Sequence, residues 1–281
     1  MNIQEFIIAA LAEDIGSGDH STLASIDAKV AGSAKLIVKE AGIIAGIRIA
    51  KEVFLHLDKE AIFTAYHTDG EYLEVGTIAF TVKAKAQAIL QAERLVLNTM
   101  QRMSGIATLT HSYMEKIKNY STTTILDTRK TTPLFRAFEK EAVLLGGAKN
   151  HRMGLYDMIM LKDNHIDYCG GIEKAIAAAN NYLKEQQLQL PIEVETRSLD
   201  DVKRVVKVGG VQRIMLDNFT PQEIEAALEI INKQFETEAS GGINFDTIEA
   251  YAATGVDFIS VGAVIHHASS LDLSLKAVLH E

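Results

Sequence analysis

The sequence predicts an α/β fold organised as an α/β barrel, incomplete rather than closed by eight full repeats, with a smaller layer ahead of it. Three features predict it. Six short apolar runs rich in β-branched residues alternate with helical stretches through the second half. Those runs end in polar or glycine residues, as barrel strands do at the face where active sites form. The first half has strand-like runs without that alternation, which reads as a separate antiparallel layer.

Taken in order, residues 3–13 read as a helix, and residues 34–39, 61–65 and 78–83 as strands of the first layer. Residues 84–103 form a longer helical stretch, with Ala86, Ile89, Leu90, Leu97 and Met100 at helical spacing. The expected domains are 1–105 and 106–269, with a C-terminal helix over 270–281 returning to the first. The barrel strands are expected at 123–127, 158–162, 192–195, 213–217, 235–240 and 258–262. Helices are expected between them at 133–145, 172–187, 199–208, 221–232 and 245–254. In the first of these, Leu134, Phe138, Ala142 and Leu145 make one apolar stripe. Thr132-Pro133 and Thr220-Pro221 place a capping hydroxyl before a proline at the first helical position, and Glu223 adds a capping box. A doubly wound open sheet is the competing architecture, but no Gly-x-Gly-x-x-Gly follows a strand.

Composition narrows the function. The chain is 47% hydrophobic and 23% charged, so it buries a sizeable core. Its formal charge of -9 argues against general nucleic-acid binding. One cysteine, Cys169, excludes an intramolecular disulfide and fits a reducing compartment. With no basic leader and no apolar run of membrane length, the expectation is a cytoplasmic protein without a membrane partner. Charge is nevertheless uneven: residues 127–162 carry seven Lys/Arg against four Asp/Glu, net +3, which suits capture of a phosphorylated anion.

Strand ends of a barrel converge, so their side chains are candidates as a set. They are Asp127, Arg129 and Lys130; Lys162, Asp163, Asn164 and His165; Glu193 and Glu195; Asp217 and Asn218; Glu238 and Ser240; and Gly262. Glu193 and Glu195 are two apart and point to one side of their strand, where paired carboxylates need water, cations or a metal. The run Asp127-Thr-Arg-Lys-Thr-Thr-Pro133 sets cations and hydroxyls at a turn into a helix, an anion-site arrangement. Gly241-Gly242 and Gly262 offer backbone N–H groups to a phosphate, although ordinary turns use glycine too.

Seven segments carry a resemblance. Glu13-Asp-Ile-Gly-Ser-Gly-Asp19, Ser104-Gly-Ile-Ala-Thr108, the Asp127 run, Asn150-His-Arg152, Lys162-Asp-Asn-His165, Leu216-Asp-Asn218 and Ser240-Gly-Gly242 occur in order along nearly the whole chain. Together they resemble the quinolinate phosphoribosyltransferases. That resemblance implies a small α/β sandwich domain on an incomplete α/β barrel of the type II phosphoribosyltransferase kind, assembled at least as a homodimer. It implies a reaction in which quinolinate and phosphoribosyl pyrophosphate give nicotinate mononucleotide, carbon dioxide and pyrophosphate, with Mg2+. By position, Arg129, His151, Arg152 and Lys162 resemble the quinolinate-binding set, and Arg94 the arginine supplied from a neighbouring subunit. Lys130, Glu195 and Asp217 resemble contacts to the ribose or the metal, Glu195 and Asp217 being the metal candidates, and Lys130, Lys162, Glu195 and Asp217 form the expected catalytic group. Ser240, Gly241, Gly242, Gly262 and His266 resemble the phosphate end. Leu134 and Ala148 depart from the usual glycines beside the anion-binding turns. Two readings compete: a relative acting on another pyridine carboxylate, and a Schiff-base aldolase using Lys162.

Overall fold

The computed structural model describes residues 2–278. In chain order it contains α1 (Ile3–Ile15), α2 (His20–Ser25), β1 (Ala31–Val38), β2 (Gly42–Ile43), α3 (Ile47–Leu57), β3 (Ile62–Ala65), β4 (Tyr72–Leu73), β5 (Ile78–Lys85) and α4 (Ala86–Lys116). Then follow β6 (Thr124–Leu126), α5 (Arg136–Leu145), β7 (Ile159–Leu161), α6 (Asp163–Cys169), α7 (Ile172–Glu185), β8 (Ile192–Thr196) and α8 (Leu199–Val208). The chain ends with β9 (Arg213–Asp217), α9 (Pro221–Ile231), β10 (Glu236–Ser240), α10 (Ile248–Ala252), β11 (Phe258–Ser260), α11 (Ala263–His266) and β12 (Leu273–Ala277). These make two compact units. The first runs to His111, takes in Thr132–Gly147 and resumes at His267; the second holds Ser112–Thr131 and Ala148–His266.

In the first unit a four-stranded antiparallel sheet has the order β12-β1-β5-β3. Ala34, Leu36 and Val38 alternate along β1 and are buried, as the period of two requires of a half-covered strand. They share the unit's core with Phe80 and Val82 of β5 and Val53 and Phe54 of α3, and the Phe63 and Phe80 rings lie 4.5 Å apart. The second unit is a parallel sheet in the order β6-β11-β10-β9-β8-β7, extended beyond β6 by a bridge from Leu126 to Lys149. His151, just past that bridge at one margin, lies within 3.3 Å of Glu238 on β10 and 2.9 Å of Glu193 on β8. Residues on strands so far apart in the order meet only if the sheet curls round, so it is an open barrel.

Three local expectations change. The helix expected at 84–103 continues to Lys116, burying Val96, Met100, Met103 and Ile106, and the chain enters the second unit inside it. The helix expected from Pro133 begins at Arg136, because Leu134 sits in the left-handed region (φ 64°) and breaks the helical path. Thr132 therefore caps no proline-led turn; its N–H and hydroxyl donate to Glu139 at 2.7 and 2.9 Å. The C-terminal segment, expected as a helix, is the strand β12 over its described residues. Leu273 and Leu275 are buried between exposed or half-buried neighbours, and β12 pairs antiparallel with β1. The cap at α9 is as expected: Thr220 accepts from Glu223 N–H, and Glu223 accepts from Thr220 N–H at 2.8 Å.

Candidate active site

Register places the carboxylates. β8 and β9 pair Glu193 with Arg213 and Glu195 with Met215, so Glu193, Glu195, Arg213 and Asp217 share one side of the sheet. Glu195 and Asp217 thus close adjacent strands on that side. Burial pushes the Glu195 carboxyl up, Lys162 opposes the rise, and the charge of Asp217 adds to it. Lys162 holds its Nζ 3.6 Å from Glu195, and the Asp163 N–H donates to the same carboxylate at 3.4 Å.

Further cations lie on the segments after β6 and before β7. Asp127 is wholly buried and accepts the His151 N–H at 2.8 Å, which ties the 149–152 segment to the end of β6. Arg129 and Lys130 are exposed on the turn that follows. Arg152 is half-buried and donates from Nη1 to the Met158 carbonyl at 3.2 Å. Burial lowers its proton affinity, and the like charge of Arg129 lowers it further. Two guanidinium groups are therefore held in mutual repulsion, an arrangement that an anion between them relieves.

Glycines shape the opposite end. A side chain on Gly241 (φ 98°) would meet Asn218 Oδ1 at 2.2 Å, so only glycine fits there. Asn218 donates its N–H to Ser240 O at 2.8 Å and its amide to Asp217 at 2.7 Å, joining Asp217, Ser240 and Gly241 into one corner. At Gly262 an added Cβ would stand 3.0 Å from His266 Nε2 and 3.1 Å from Lys130 Cδ. Lys130, Gly262 and His266 are thus brought together around a half-buried glycine backbone.

Beneath these groups lies a buried cluster. His151 Nε2 stands 2.9 Å from Glu193 and 3.3 Å from Glu238, while Arg213 donates to Glu238 at 3.0 Å and to Glu236 at 3.0 Å. The Arg213 guanidinium also lies 4.1 Å from the centre of the Phe258 ring. Burial works against a charge on His151, but the two carboxylates outweigh it and carry the imidazole up to about 9. Burial and Glu238 push Glu193 up to about 7. Burial also acts to raise Glu238, but His151 and Arg213 prevail and hold it low. The Arg152 N–H, 2.6 Å from His151 Nδ1, claims that nitrogen's lone pair. The extra proton is therefore a property of the cluster, held on its Nε2 and carboxylate side.

Arg129, Lys130, His151, Arg152, Lys162, Glu195, Asp217, Ser240, Gly241, Gly242, Gly262 and His266 all lie in the second unit. Arg94 belongs to the first unit, exposed on α4, where it lines a cavity of about 390 Å³ with Glu13, Asp14, Asn98 and Arg102. His151 differs from expectation in its setting: its side chain is only 5% exposed and its ring faces the barrel interior. Sequence reasoning did not single out Arg213 or the Glu238 link to His151. The alternation Arg213-Ile-Met-Leu-Asp217, with a cation at the strand start facing the same way as Asp217, was the available signal.

Fold and site define an α/β-barrel protein whose strand ends carry cations, carboxylates and glycine turns. Family models described as quinolinate phosphoribosyl transferase, N-terminal and C-terminal domain, match residues 19–104 and 106–276. The chain belongs to the quinolinate phosphoribosyltransferase family. It is 43% identical to a chloroplastic nicotinate-nucleotide pyrophosphorylase [carboxylating] of Arabidopsis thaliana, over 98% of this chain and 82% of that protein. It is 41% identical to a probable nicotinate-nucleotide pyrophosphorylase [carboxylating] of Synechocystis, over 95% of this chain and 90% of the relative. The crystal structure of NadC from Streptococcus pyogenes superposes with a TM-score of 0.92 at 39% identity, covering 98% of this chain and 95% of that one. Among the described residues no helix is long and apolar enough to cross a membrane.

Proposed function

We propose that this chain transfers the phosphoribosyl group of phosphoribosyl pyrophosphate to quinolinate with loss of carbon dioxide, giving nicotinate mononucleotide and pyrophosphate for NAD biosynthesis. The observation that carries the reading is the match of the quinolinate phosphoribosyl transferase models to residues 19–104 and 106–276, with Arg129, Arg152 and Lys162 all in the second unit. Quinolinate supplies two adjacent carboxylates, and planar guanidinium forks bind such groups in bidentate fashion. In this reading Arg129, Arg152 and Lys162 take the pyridine acid, and His151, its ring turned to the interior, supports them through the Arg152 N–H. Anchoring one carboxylate while the other departs, they stabilise the carbanion character left on the ring carbon. The ring nitrogen forms its bond to the ribose carbon as the pyrophosphate oxygen leaves with the bonding pair. Ser240, Gly241, Gly242, Gly262, His266 and Lys130 serve the phosphate end.

Glu195 and Asp217 fit a divalent metal: carboxylates closing adjacent strands, with Glu195 raised by burial and, to a lesser degree, by the charge of Asp217. Mg2+ is commonly held by one or two carboxylates, with substrate phosphates completing its shell. When bound, Mg2+ neutralises charge on the leaving pyrophosphate. The working assembly in this proposal is a cytoplasmic homodimer or a larger even oligomer, with Arg94 of one copy completing the site of the other. The test is to mix the protein with phosphoribosyl pyrophosphate, Mg2+ and either quinolinate or nicotinate. Nicotinate mononucleotide should form from quinolinate with a kcat/KM about 100-fold or more above that for nicotinate, since the missing carboxylate leaves cations unpaired. Comparable use of nicotinate would reject the assignment.

A further inference from the structure

The second unit contains a chain of charged groups that the proposed reaction does not use. It begins at Arg213, at the start of β9, where the guanidinium is shared between Glu236 and Glu238 and packs on Phe258. Through Glu238 and Glu193, both wholly buried, it reaches His151 Nε2. His151 is then fixed from two further sides, by Asp127 at its backbone N–H and by the Arg152 N–H at Nδ1. Burying such a set requires each charge to find a partner, and removal of one leaves another uncompensated. A packed apolar interior would serve stability as well, so the retained charges point to a task.

His151, Glu193 and Glu238 offer ligand atoms within 4.8 Å of one another, which is also a metal-ligand geometry. Arg213 argues against that role. Its guanidinium already supplies the positive charge at Glu238, and a divalent ion would have to sit against it. The set balances as an ion network with Arg213 at one end and His151 at the other.

We infer that Glu193, Glu238 and Arg213 are positioning residues: they lock the His151 ring from inside the barrel and, through its contact with the Arg152 N–H, set the segment that presents Arg152 to the pyridine acid. This rests on the proposed reading of His151 and Arg152 as the quinolinate end of the site. Such a lock weighs more on one substrate than on the other: Glu238 also reaches Ser260 of β11, but the Ser240–Gly242 corner is tied to Asn218, and His266 and Lys130 flank Gly262.

The experiment uses Glu238→Gln combined with Arg213→Gln, which removes one charge of each sign, so the network's net charge is unchanged. Expected is a rise in KM for quinolinate of about tenfold or more, with KM for phosphoribosyl pyrophosphate within about twofold of wild type, because loosening the support of a binding residue costs the geometry it presents. Arg213→Lys, which keeps the charge and loses the fork, should fall between the double variant and wild type, and it remains informative should the double variant fail to fold. Equal changes in both KM values with a lowered melting temperature would mean a merely structural role and would overturn the inference. So would unchanged quinolinate KM in a folded variant, or a stoichiometric transition metal retained by wild type and lost from Glu193→Gln. Failure of the wild type to convert quinolinate at all would instead sink the reading on which the inference rests.

Discussion

Leu134 shows what a single residue records. It stands with φ 64° and 74% exposed, in a conformation that costs a branched L-residue about 1–2 kcal/mol. Replacing it by glycine removes that strain but gives the unfolded chain more freedom, so the two effects partly cancel. Leu134→Gly should therefore stabilise the protein by up to about 1 kcal/mol in a urea titration. A loss of that size would mean that the exposed side chain makes contacts worth more than its backbone strain. The His151 cluster makes a second prediction. His151 and Glu193 are both raised above their unfolded values, so the native state binds more protons than the unfolded chain. The His151 contribution is fully present below about pH 6.5, where an unfolded histidine is also protonated, and is lost as pH rises towards about 9. The Glu193 contribution is fully present only below about pH 4.5 and is lost as pH rises through about 7. Unfolding free energies of wild type from urea titrations should fall as pH rises through both windows, by about 3 kcal/mol between pH 6.5 and 9 from His151. A flat wild-type profile would show that the cluster carries no extra proton.

At the scale of elements, β12 is the most exposed to a simple test. Leu275 is 6% exposed and pairs across from Leu36 on β1. Leu275→Ala should cost about 2–3 kcal/mol, the usual loss for a buried leucine in a sheet that can partly collapse. A loss below half a kilocalorie per mole would mean that β12 is frayed in solution. The same strand shows how far the sequence is legible. Leu271, Leu273 and Leu275 alternate with Asp272, Ser274 and Lys276, a period of two that a helical reading of the chain's end overlooks. All six barrel strands, by contrast, fall where they are expected; β6, β7, β9 and β11 are apolar runs as buried parallel strands require, whereas β8 and β10 carry the buried glutamates of the ion network. The strand-end residues of the site followed from that same rule. The start of α5 was not legible: proline after threonine reads as a cap, and the left-handed turn at Leu134 is a choice of the tertiary structure. Nor was the ion network legible, since Arg213, Glu238 and His151 are far apart in sequence and meet only when the sheet curls.

For the whole molecule, the decisive question is whether Arg94 serves its own chain. Its place on α4 in the first unit allows a bland role, its stem covering apolar surface. Sharing across a dimer makes a different forecast. Arg94→Ala and Lys162→Ala should each be inactive, and mixing them should restore activity, because one site in each mixed dimer keeps both residues. Random exchange should return about a quarter of wild-type turnover if the sites act independently. Demonstrated exchange without recovery would confine Arg94 to its own chain or to no site.

The return of the chain at β12 also sets an order of events during synthesis. β1 is made early and its neighbour β5 soon after, but the partner on its other edge is made only after the entire barrel segment. On the ribosome, β1 therefore waits with one row of backbone donors and acceptors open, the kind of edge along which nascent chains stick to one another. The barrel segment has no such dependence on the last strand. A chain released before Leu273 would carry every group of the barrel site and still be the species that a chaperone has to shield.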